Sequence, residues 1–158
     1  MLTLLLFLLI LIAVWSVIVR IAFPGAGDSA DKYLLLVKKN HPLLRQIAEA
    51  ALDKDRWPGL METEEVRSLL EEGDIVNVSA IGQCVEFKIR SDVRQEKRAV
   101  LYQPDTACLP PSLEGCGLDW TYKGEADGLQ TWTSPAGARL TLRALEDQFY
   151  LEDIWLPS

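Results

Sequence analysis

At Asp74 the spacing of apolar residues changes period, and no other feature limits the fold of this chain as strongly. Before it, Leu43, Leu44, Ile47, Ala48, Ala51 and Leu52 recur at helical spacing, and Val66, Leu69 and Leu70 repeat the pattern. After it, "IVNVSAIGQCVEFKI" alternates residue by residue. A period of 3.6 and a period of 2 require different backbones. Helices are therefore expected over 31–73 and strands over 74–158, an α+β arrangement with the helices first.

The helical half has readable boundaries. Asp28 can cap a helix, and "NHP" at Asn40 to Pro42 breaks it, because Pro42 suits the first turn of a new helix capped by Asn40 or His41. "RWPG" closes that unit. Thr63 opens another short helix, and Gly73 is expected to stop it in a left-handed conformation. In the strand half, Gly82-Gln83 reads as a type II′ turn. That register sets Ile81 opposite Cys84, Ala80 opposite Val85, Val78 opposite Phe87 and Val76 opposite Ile89. A slip of one residue would scatter the large apolar pairs over both faces.

"RAVLYQ" is expected as a third strand, followed by a long irregular loop, "PDTACLPPSLEGCG". "LDWTYK", "LQTWTS", "ARLTLRAL" and "QFYLEDIWL" complete the set, with Trp120 expected opposite Trp132 across a loop from Gly124 to Gly128. The sum is an N-terminal transmembrane helix, two or three short helices, then an antiparallel β-meander of six to seven strands, flat or curled into a half-barrel. One face of the sheet is expected to be packed and the other wet.

Met1 to Val19 holds no charged side chain. As a helix, 19 residues span about 28 Å, near the hydrocarbon thickness of a bilayer. No Lys or Arg precedes the run, it exceeds the apolar region of a signal peptide, and Gly25-Ala26-Gly27 is a poor cleavage site. Residues 1–20 are thus expected to be a retained anchor in a cell membrane, 21–30 a linker, and 31–158 one globular domain. Arg20, Lys32, Lys38 and Lys39 follow the run, which leans toward a cytoplasmic domain.

The chain carries a net charge of −7, and every acidic residue follows Arg20. Such a surface repels phosphate backbones, so nucleic acid is not an expected partner. No cofactor motif is read. His41 is the only histidine and reads as a cap or a solvated side chain. Cys108 and Cys116 lack the spacing of a zinc site and could close a disulfide around "LPPSLEG". "GQC" at Gly82 to Cys84 is similar to the nucleophile motif of transglutaminase and papain-like enzymes, but the match stops at three residues and no histidine follows. The carboxylates from Glu62 to Asp74 read as a solvated helix face, and Glu125 to Gly128 as a turn.

Aromatic residues remain as the candidate contact surface. Trp120, Tyr122, Trp132, Tyr150 and Trp155 concentrate in the final strands, where they serve either as core or as a patch for a partner. The expected function is a single-pass, membrane-anchored binding domain with a protein partner, in an accessory or assembly role. The competing reading is a membrane-anchored hydrolase using carboxylates or Cys84. Contiguous exposed aromatics would favour the first, and a cleft with converging carboxylates the second.

Overall fold

The computed structural model describes residues 28–53, 57–91, 93–105, 110–115 and 117–157. The expected membrane anchor, most of its linker, and Cys108 and Cys116 lie outside the described residues. No helix among the described residues is long and apolar enough to cross a membrane. The chain divides into two units, Met1–Lys32 and Tyr33–Ser158.

Helix α1 runs over Asp28–Leu52, starting inside the stretch read as linker. The two helices expected on either side of "NHP" are present as two helical segments that meet at a kink within this span. Asn40 departs from helical geometry (φ −116°, ψ 18°), and its side-chain amide donates to the Leu36 carbonyl at 3.1 Å. Pro42 causes the bend, since it has no N–H to return to the preceding turn and its ring crowds the carbonyl there. A single turn, α2 (Trp57–Leu60), leads to α3 (Glu64–Glu72). Thr63 caps α3 by accepting from the Val66 amide at 3.4 Å, and Glu64 and Glu65 sit at its positive end.

The stop after α3 differs from expectation. Gly73 stays right-handed (φ −86°), and the left-handed residue is Asp74 (φ 52°). Gly73 answers to space. A Cβ there would lie 2.9 Å from both Ile75 Cδ1 and Leu36 Cδ2, where α1, α3 and the first strand converge.

Seven strands follow: β1 (Ile75–Ile81), β2 (Cys84–Ile89), β3 (Glu96–Tyr102), β4 (Thr121–Ala126), β5 (Leu129–Thr133), β6 (Arg139–Glu146) and β7 (Phe149–Trp155). They form one antiparallel sheet in the order β1-β2-β3-β7-β6-β5-β4. The sheet is open, with β1 and β4 as its edges. It is therefore two meanders joined at β3–β7 in place of a single meander. The connection 103–120, which includes the short helix α4 (Pro111–Gly115), carries the chain from β3 to the far edge.

The β1–β2 hairpin turns at Gly82-Gln83, and Ile81–Cys84, Ala80–Val85 and Val78–Phe87 pair as expected. Gly82 has φ +61°, as the first central position of a type II′ turn demands. A bulge between Ile75 and Asn77 pairs Ile75, not Val76, with Ile89, and leaves Val76 exposed.

Both faces of the sheet are packed, on different halves. The helix face carries Val78, Val85, Phe87, Ile89, Val100, Tyr102, Phe149 and Leu151, all buried. Helices α1 and α3 lie over it: the His41 ring meets Phe149 edge-on at 5.4 Å, and Val37, Leu44, Ile47, Val66 and Leu69 are buried. The opposite face holds a second cluster of Cys84, Leu101, Trp132, Leu140, Leu142 and Ile154, covered by Leu113 of α4, Trp120, Tyr150 and Leu156. The expectation of one wet face fails because Leu113 of α4 and Trp120 pack over that second cluster.

Candidate functional site

The five aromatics do not form one surface. Trp132 is buried in the second cluster, and its cross-strand partner is Tyr122, with ring centroids 5.2 Å apart. The expected Trp120–Trp132 pairing is displaced for two reasons. The β4–β5 turn is tighter than read, with Asp127 (φ 53°) and Gly128 (φ 71°) both left-handed, and a bulge intervenes between Tyr122 and Gly124. Trp120 instead packs on the cluster from ahead of β4, and Tyr150 packs on it from β7. Tyr122 is half exposed at the sheet edge. Trp155 sits on the helix face, across the sheet from the other four, and is 41% exposed.

Beneath α4 lies a group that sequence reading passed over. Glu152 is 2% exposed, on the central strand β7 and on the face of the second cluster. Its Oε2 accepts from the Ser112 hydroxyl at 2.9 Å. Among the described residues its buried Oε1 has no hydrogen-bond partner, nor has the buried indole Nε1 of Trp120. Burial pushes the carboxyl up to about 7, with Glu86 and Asp153 raising it further while the Ser112 hydrogen bond and Lys97 act the other way. The available signal was positional. In the alternating strand "QFYLEDIWL", Phe149 and Leu151 share one face, which places Glu152 on the other, between Tyr150 and Ile154.

Chemistry at this carboxyl is confined by its enclosure. It makes one described side-chain hydrogen bond, to Ser112. Cys84, 3% exposed, is on the second-cluster face, whereas His41 packs against Phe149 on the helix face. The sheet therefore separates that thiol from the imidazole. His41 Nε2 stands 3.5 Å from Asp147 Oδ2, so the ring bridges α1 to the β6–β7 turn. No group of three metal-ligating side chains occurs among the described residues. A groove of about 500 Å³ between the bend of α1 and α3 is lined by Pro42, Leu43, Leu69, Glu65 and Glu72. Glu72 there is engaged by Lys39 at 2.8 Å.

The helices stop short of the other half of the helix face. On β5 and β6, Leu129, Thr131, Thr133, Arg139, Thr141 and Arg143 point to that side, and none is buried. Trp155 flanks Arg139 directly. Arg98 and Asp153 form an ion pair on the neighbouring strands.

Comparison with protein-family models, curated proteins and solved structures finds no match for the chain.

Proposed function

We propose that the chain is a membrane-anchored binding domain whose open half-sheet is the contact surface for a protein partner. The observation that carries this reading is Trp155, a large aromatic left 41% exposed on a face where Thr131 and Thr133 of β5 and Arg139, Thr141 and Arg143 of β6 are all unburied. Tryptophan exposed on a firm scaffold has the properties of an interface anchor, with much apolar area and little rotamer entropy to lose. The uncharged run Met1 to Val19 supports the anchor, and the domain would work beside the membrane in an accessory or assembly role. The separation of Cys84 from His41 and the enclosure of Glu152 favour binding over hydrolysis.

The test is site-specific photo-crosslinking in membranes from the native host. A benzophenone amino acid in place of Trp155 or Thr141 should give one discrete protein adduct, while the same group at Asn77, on the other face of edge strand β1, should not. Adducts that are absent, or equal at all three positions, would overturn the contact surface. Release of the full chain from membranes by alkaline carbonate would overturn the anchor.

A further inference from the structure

We infer that the open half-sheet receives an extended acidic segment of the partner, with Arg139 and Arg143 as its two carboxylate receptors and Trp155 as the apolar anchor beside them. The inference rests on the binding reading above and gives the partner its chemistry. Charge is the first ground. The chain is strongly acidic overall, yet β5 has no carboxylate on this face, and the one on β6, Glu146, lies at the far end of the strand beyond Arg143, where Lys38 of α1 engages it at 3.7 Å. Asp153, the nearest on β7, is occupied by Arg98. Glu96 lies on the far side of Trp155, at the end of the row. Neither Arg139 nor Arg143 has an ion pair or a side-chain hydrogen bond among the described residues. Two unpaired guanidiniums on an acidic protein are a local reversal of sign, which selects short acidic segments over long polyanions that would also meet the acidic remainder.

Spacing is the second ground. Arg139 and Arg143 are four residues apart on one face of a strand, about 13 Å at the usual rise. An extended segment with carboxylates at positions i and i+4 has the same repeat. Thr141 lies between the arginines, with Thr131 beside it, so hydroxyls line the intervening backbone. Guanidinium is the group best shaped to hold a carboxylate by two parallel hydrogen bonds.

The test uses the full chain in a neutral detergent and a fluorescein-labelled peptide, Glu-Thr-Leu-Thr-Glu, with Gln-Thr-Leu-Thr-Gln as its control, read by anisotropy. The acidic peptide should bind at least ~10-fold tighter than the control and weaken with added salt. R139E/R143E should weaken it by ~10-fold or more, and R90E/R94E, which changes net charge equally at exposed sites elsewhere, by less than ~3-fold. Should R139E/R143E lower the urea midpoint, R139Q/R143Q replaces it. Equal affinity for the two peptides overturns the inference, as do equal effects of the two double variants. Tighter binding of single-stranded DNA or phosphatidylglycerol vesicles than of the peptide also overturns it, in favour of a general polyanion surface. If the peptide fails while Thr141 still crosslinks a partner, the acidic chemistry falls and the contact surface stands. If both fail, the binding reading falls with it.

Discussion

Glu152 shows how far a single side chain can depart from its ordinary chemistry when the fold encloses it. Its carboxyl is held at about 7 against an ordinary value of 4.5, mainly because burial penalises the charge. The folded state therefore binds this proton more tightly than the unfolded state does. The sign follows: the contribution is fully present below about pH 4.5, declines as pH rises, and is lost by about 7. The full difference corresponds to about 3 kcal/mol at most. Urea midpoints measured at pH 5 and pH 8 should fall between the two values for the natural chain and fall less for Glu152→Gln, which keeps the shape without the charge. Equal falls in both proteins would mean that Glu152 ionises freely in the fold. Gly73 makes a different point at the same scale. Its place is held by the 2.9 Å approach of Leu36 and Ile75 to the site of a Cβ, while the strained backbone has passed to Asp74.

The β1–β2 hairpin is the element whose register follows most directly from local chemistry. Its apolar pairs sort to one face only when Gly82 and Gln83 form the turn, and the observed pairing has that register up to the bulge. Nothing lies within 4 Å of a Cβ at Gly82, so substitution there meets no steric contact and is opposed by backbone conformation alone, at φ +61°. Gly82→Val should cost ~1 kcal/mol or more, because a β-branched residue resists positive φ. Chemical denaturation of the two proteins checks it, and an unchanged midpoint would show that the turn tolerates another geometry. Helix α1 is similar in this respect. Asn40 leaves helical geometry and turns its amide back onto Leu36, and Pro42 starts a second helical direction, as the "NHP" motif suggests.

At the scale of the molecule, the central pair β3–β7 is shared by two cores that lie on opposite faces of one sheet. Phe149 and Leu151 look into the core beneath α1 and α3, and Ile154 into the one beneath α4 and Trp120. Strands packed on both sides couple the two cores. Removing a large aromatic from either should lower one common transition. Trp132→Ala is expected to cost about 3–5 kcal/mol, as deletion of a buried Trp usually does. Phe87→Ala should cost a similar amount from the other core. Far-ultraviolet dichroism and tryptophan fluorescence should trace the same transition in both variants. Two separated transitions would show that the meanders fold independently. Tyr122→Ala, at the half-exposed edge, should cost much less than either.

What the sequence determined by itself is whatever depends on neighbours along the chain. The change of period at Asp74, the cap at Thr63, the Gly82-Gln83 turn and all seven strands were legible because they are set by residues within a few positions of one another. The tertiary structure alone decided which strands met and which faces closed. Nothing local to β3 or β7 states that they pair, since pairing is chosen by burial summed over the whole sheet. Nothing in "PDTACLPPSLEGCG" states that α4 will return to cover a face otherwise left wet. The candidate surface divides in the same way. Trp155 stood among the aromatics singled out from sequence, whereas Arg139 and Arg143 did not, because unpaired charge on an open face is defined by distant partners that fail to arrive. Glu152 was missed for the same physical reason: alternation assigns a residue to a face, but only the packing of the chain over that face decides whether the face is water or core.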